Sequence, residues 1–247
     1  MWYQKLFQIF KISELRKKIL FVLAVLVVFR IAANIPVPGI DTEKLRAFFE
    51  GNQLFGLLNI FTGGAMSHLS VAMLGLGPYI TAIIIMQLLT MIFPGLEAIY
   101  HEEGERGRQR FNQYGRILTV PLAVLQGYSM LALLRNQGVI GYMSLSDTII
   151  SVIIITAGTV LLMWLGELIS EKGIGNGVSI LIFAGIVASF PISFQQTIVG
   201  WDAGKIPSYL GFLAMALLVI VGVVIITEGR RNIPVSYAKR VRGRRIY

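Results

Sequence analysis

Six stretches of the chain are almost continuously apolar: 19–36, 72–93, 115–134, 148–168, 178–198 and 209–227. A helix rises 1.5 Å per residue, so crossing about 30 Å of hydrocarbon takes about 20 apolar residues. The backbone must satisfy its own hydrogen bonds in lipid, and runs of this length do so as helices. The pattern therefore predicts an all-α, polytopic membrane protein with six spans. It breaks after the first stretch. Pro36-Val37-Pro38-Gly39 is a helix stop, and Asp41 is placed to cap a short helix through Phe49. Leu54 to Phe61 is apolar but only half a span long, and Gly63-Gly64 breaks it. Such a piece either lies on the outer leaflet or folds back into the bundle, and its residues alone leave both open. Gly173-Ile174-Gly175-Asn176-Gly177 lacks the GxGxxG spacing and follows a helix, so it reads as a tight turn between two spans rather than a phosphate loop.

Charge adds an orientation. Of 247 residues, 55% are hydrophobic and 14% charged, against about 25% charged in a typical soluble domain. With the N-terminus inside, 17 of the 22 Lys and Arg fall on the inner side: five before the first span, Arg106, Arg108, Arg110 and Arg116, Lys172, and seven beyond Glu228. The outer segments hold Lys44, Arg46, Arg135 and Lys205, and Arg30 sits near the outer end of the first span, where it can snorkel. This asymmetry predicts both ends of the sequence in the cytoplasm. Residues 1–18 mix Trp2, Leu6, Phe7, Ile9 and Phe10 with five basic residues, and read as an amphipathic cytoplasmic helix rather than a cleaved signal. The net charge of +9 thus belongs mainly to cytoplasmic segments.

Little in the chain suggests chemistry. There is no cysteine, and His68 and His101 stand far apart, so neither a disulfide frame nor a metal site is expected. No GxSxG or GxxxxGK[ST] occurs, and no aspartate lies inside a span apart from Asp147 at an edge. Neither an enzyme nor a bound cofactor is expected. Polar side chains inside spans (Thr81, Gln87 and Gln126) suit contacts between helices. Leu76 with Ile80, and Val178 with Ile182, share the i, i+4 spacing that puts two side chains on one helix face. Such pairs are common in membrane helices. The tail from Glu228 to Tyr247 carries seven basic residues, most of them Arg, and suits lipid headgroups or a polyanion. The loop 94–116 carries both signs of charge and suits a soluble partner.

Several stretches, in this order, resemble the bacterial SecY family: Phe29-Arg30-Ile31, Ile35-Pro36-Val37-Pro38-Gly39-Ile40-Asp41, Asn59-Ile60-Phe61-Thr62-Gly63-Gly64-Ala65, Gly77-Pro78-Tyr79-Ile80, Gln87-Leu88-Leu89-Thr90, Trp164-Leu165-Gly166-Glu167, Gly173 to Gly177, and Tyr237-Ala238-Lys239-Arg240. The whole chain resembles the family's first six helices: its N-terminal five-helix half (19–198), the sixth helix (199–227) and the start of a basic cytoplasmic loop (228–247). The resemblance implies a plug at 54–66, including Leu57, Leu58, Ile60, Phe61, Gly63 and Gly64. It implies that Leu76, Ile80, Val178 and Ile182 are this half's share of a hydrophobic pore ring. Thr81, Gln87 and Gln126 are similar to the polar positions of a lateral gate. Arg240, Arg244 and Arg245 look like contacts for the ribosome, through its RNA, or for the SecA motor.

The implied function is that of the central subunit of a protein-conducting channel in the bacterial plasma membrane. Such a channel moves secretory polypeptides across the bilayer and releases membrane segments sideways into it. The implied partners are SecE, SecG, SecA or the ribosome, signal peptides, nascent chains and the lipid bilayer. The family has ten spans in two inverted halves, so six are expected not to form a sealed pore alone. Two other readings stand beside this one. A small-solute transporter requires a polar or charged site at mid-membrane, and an insertase requires a hydrophilic groove. Crosslinks from a stalled secretory chain to Ile80 and Ile182 separate the channel from both.

Overall fold

A computed structural model of the chain describes residues 12–38, 42–200, 204 and 206–229. Asp41, residues 1–11 and the basic segment from Arg230, with Arg240, Arg244 and Arg245, lie outside the described residues. The helices are α1 (Ser13–Asn34), α2 (Thr42–Gly51), α3 (Gln53–Phe61), α4 (Gly77–Ile92), α5 (Pro94–His101), α6 (Gly104–Asn136), α7 (Leu145–Lys172), α8 (Gly177–Val199) and α9 (Ile206–Glu228). A helix occupies most of each of the six apolar stretches, and the half-span run lies in α3.

By length and composition, α6, α7 and α9 are each long and apolar enough to cross a membrane. α4 and α5 meet that requirement only as a pair, bent by 113°. The bend lies at Phe93, which is extended at φ −107°, ψ 107°. Pro94 disfavours the helical conformation at the residue before it.

Two boundaries differ from the apolar pattern. α4 starts five residues into the 72–93 stretch, with Pro78 in its first turn, because 62–76 is irregular. The expected polar loop 94–116 is instead α5 followed by the start of α6. At 33 residues, α6 is about 50 Å long, well beyond the hydrocarbon thickness. Its polar first three turns pack on α5, where Tyr100 and Phe111 have ring centroids 4.7 Å apart, and Arg110 pairs with Glu103 of the intervening link at 3.1 Å. Hydropathy does not register a helix whose apolar contacts are this local.

The chain divides into two compact units after Ser193. In the first, α6 packs on α4, α5 and α7, and α1 packs on α7. Gly115, Thr119, Ala123 and Gly127 recur every fourth residue on α6 and are all buried. Small residues at this spacing let helix backbones approach, which matters in lipid, where apolar side chains alone give helices no reason to associate. α7 begins with a reciprocal cap: Ser144 Oγ accepts from Asp147 N–H at 3.1 Å and donates to Asp147 Oδ2 at 2.7 Å. The second unit contains α9, with Glu228 its one charged residue.

Irregular backbone at membrane depth must be covered by protein. Segment 62–76 meets that condition, with Ala65, Leu69, Ser70, Ala72 and Met73 almost fully buried. Val37 N–H donates to the Leu69 carbonyl and Val71 N–H to the Ile35 carbonyl, each at 2.9 Å. These bonds tie the segment to the chain leaving α1. Leu69 has φ +43°, a left-handed conformation held by complete burial.

Candidate functional site

Leu76 precedes α4, yet its carbonyl accepts the Ile80 N–H at 3.0 Å, so the pair keeps its helical spacing. A similar start sets Val178 and Ile182 on α8. Asn176 Oδ1 accepts from Ser179 N–H at 3.1 Å, and Gly177 N–H donates to Ser170 Oγ at 2.9 Å. Gly177 lies directly against Gly166 of α7, where a Cβ would stand 1.9 Å from the Gly166 carbonyl oxygen. Only glycine permits that approach. Leu76 is buried in an apolar cluster with Phe29, Leu162 and Leu181, and Ile80, Val178 and Ile182 pack against the same cluster. Ile80 and Val178 border a cavity of about 620 Å³, whereas Leu76 and Ile182 border a gap of about 20 Å³. The four side chains stand between an open space and a nearly closed one. They present only hydrocarbon, which binds no ion.

The segment after α3 reaches this cluster. Gly63 and Gly64 turn the chain at φ +67° and +87°, where other residues are strained. Asn59 holds the turn: its carbonyl accepts from Gly64 N–H at 2.8 Å and its Oδ1 from Ser67 N–H at 2.9 Å. Ala65 is buried in the cluster, and Thr62 borders the small gap with Leu76 and Ile182. Gly63 is itself buried, and Gly64 is half-buried. On α3, Leu57, Leu58 and Ile60 are exposed, while the Phe61 side chain lies outside the described residues. The turn, more than the helix, meets this cluster.

The polar span residues are less closely grouped. Thr81 is half-buried and donates to the Gly77 carbonyl at 3.0 Å. Gln126 Oε1 lies 4.0 Å from where a Gly77 Cβ would be, so both residues face the start of α4. Gln87 is exposed farther along α4 and is not brought to them.

Two features were not anticipated from sequence. Arg116 Nε donates to Glu167 Oε1 at 2.7 Å, joining α6 to α7 at the rim of the large cavity. Opposite charges on the same predicted side of adjacent spans were the available signal. The second is Arg30, which does not simply snorkel: its Nη1 donates to the Gly63 carbonyl. Nothing local in the sequence indicates a contact across 33 residues. Among the described residues no group of three metal-ligating side chains occurs.

The SecY family model matches residues 70–247. The protein translocase subunit SecY of Streptomyces galbus is 44% identical over 96% of this chain and 58% of its own length. That of Corynebacterium glutamicum is 44% identical over 97% and 57%. The chain therefore spans a little over half the length of the curated relatives it matches. Among solved structures, Sec61 in the canine ribosome–channel complex from the endoplasmic reticulum aligns with a TM-score of 0.55 at 22% identity, over 81% of this chain and 46% of that one. A protein conducting channel aligns with the same score at 21% identity. At such identities the structures establish the helical fold, and the curated relatives establish descent. With its long apolar helices, the chain is a multi-pass membrane protein and belongs to the SecY family.

Proposed function

We propose that this chain provides the first six spans of the central subunit of a protein-conducting channel in the bacterial plasma membrane, with its N-terminal side in the cytoplasm. Leu76, Ile80, Val178 and Ile182 are its share of the constriction. Segment 54–66 is the plug, and the start of α4 around Thr81, facing Gln126, is one wall of the lateral seam, with Gln87 farther along it. Arg240, Arg244 and Arg245 meet ribosomal RNA or the SecA motor, and SecE and SecG complete the assembly.

The observation that supports this reading is the convergence of the four aliphatic side chains and the turn of the 54–66 segment on one cluster, beside a 620 Å³ cavity. A narrow apolar ring dewets, so it blocks ions yet yields to a passing chain of any sequence. A seam with few polar contacts releases apolar segments into lipid at about 0.8 kcal/mol per buried methylene. Replacing Ile80 and Ile182 by Asn in the complete subunit, reconstituted in vesicles, should raise resting ion leak while secretory precursors still pass. An unchanged leak contradicts the assignment. Six spans supply half of the ring, so vesicles carrying this chain as the sole SecY portion should not translocate a precursor.

A further inference from the structure

Arg30 is the one basic residue inside the first span, and it is half-buried. Among the described residues no carboxylate lies within ion-pair distance of it. Its guanidinium donates instead to the backbone carbonyl of Gly63, at the turn that closes the 54–66 segment. A charge in this setting has few alternative partners, since lipid offers none and the surrounding cluster is apolar. Gly63 also lies close to α8: a Cβ there would stand 3.1 Å from Gly185 Cα and 3.5 Å from Arg30 Nη1. The turn thus meets both a cation on α1 and the backbone of α8, one helical turn past Ile182.

From this geometry we propose that Arg30 is a positioning residue, a latch that holds the plug turn against the ring in the closed state. The inference rests on reading 54–66 as a plug, and it adds what retains the plug. The anchor is a backbone carbonyl, which is present whatever side chains the plug carries. The latch is therefore specific to position rather than to plug sequence. The other contact belongs to α8, which carries two of the ring residues. A tilt of α8 removes its packing on the turn and leaves the Arg30 bond to the Gly63 carbonyl in place.

The test uses the complete subunit in vesicles. This chain has no cysteine, so once any cysteine elsewhere in the complete subunit is replaced, Thr62→Cys with Ile182→Cys gives a single thiol pair beside the same small gap. A short thiol crosslinker should join this pair efficiently while Arg30 is present. Arg30→Met should lower the yield and raise resting ion leak by about 10- to 100-fold, the loss expected for one hydrogen bond to a charged group. Arg30→Lys, which keeps a charged donor, should restore much of both, which separates the latch from a mere packing role. Deleting residues 54–61 is the control for the underlying reading. If the deletion leaks and Arg30→Met neither leaks nor loses the crosslink, the latch is wrong and the plug stands. If the deletion does not leak, the plug reading fails and the latch falls with it. Should Arg30→Met not accumulate, Arg30→Gln carries the same comparison.

Discussion

Gly177→Ala probes how α8 is seated, and through it the proposed ring. Gly177 opens α8, and Val178 follows it directly. An added Cβ would lie 1.9 Å from the Gly166 carbonyl oxygen and 2.7 Å from Ile169 Cβ. Real Cβ contacts stay beyond 3.0 Å, so α7 and α8 must part by at least about 1 Å. The Gly166 oxygen is backbone in mid-helix and has no rotamer to adopt. Overpacking of this kind costs about 1–3 kcal/mol, or about 2–12 °C in thermal midpoint for a chain of this size. A separation at the first turn of α8 also carries Val178 and Ile182 away from Leu76. The assay pairs the thermal midpoint in detergent with crosslinking of Leu76→Cys to Ile182→Cys in the complete subunit; both quantities should fall. Two nearby glycines serve as controls. Gly175 has φ +70° and open space around it, so Gly175→Ala should cost about 1–2 kcal/mol through backbone strain and leave the crosslink intact. Gly141 has neither constraint, and Gly141→Ala should fall within about 0.5 kcal/mol of the parent. A Gly177→Ala protein with an unchanged midpoint and full crosslinking would refute the seating argument.

Leu181 is 1% exposed and borders the small gap, so Leu181→Ala should cost about 2–5 kcal/mol in a denaturation series. The Arg116–Glu167 pair is partly exposed, at 47% and 22% of its side chains, so a double-mutant cycle should return about 0.2–1 kcal/mol, and less at high salt. Ser144→Ala removes the α7 cap and should cost about 0.5–2 kcal/mol, with faster amide exchange across 145–148.

The long helices were legible because each coincides with an apolar run, and no tertiary contact is needed to see it. The Gly63-Gly64 break was legible for a similar reason, since two adjacent glycines end a helix wherever they sit. The course of the chain from Thr62 to Leu76 was not. It depends on bonds between Ile35 and Val71 and between Val37 and Leu69, which join residues more than thirty apart. The polar start of α6 was missed because it packs on α5 through few apolar groups, Phe111 among them, and hydropathy averages these away. Arg30 shows a further limit. Its position near the end of an apolar run fits snorkelling, and only the folded chain reveals the carbonyl it reaches. The proposed ring positions came from family resemblance, since i, i+4 aliphatic pairs recur throughout the sequence. Their common cluster is a property of the packing of α1, α4, α7 and α8.

The central claim is that a translocating polypeptide passes between α4 and α8 at the four aliphatic positions. Photo-crosslinking groups introduced singly at Ile80, Ile182 and Ile153, in the complete subunit with a secretory chain stalled in transit, address it most directly. Ile153 is 60% exposed on α7 and serves as the outward-facing reference. Adducts to the stalled chain at Ile80 and Ile182, with none at Ile153, are the predicted result. Equal yields at all three positions, or adducts at Ile153 alone, would contradict the account.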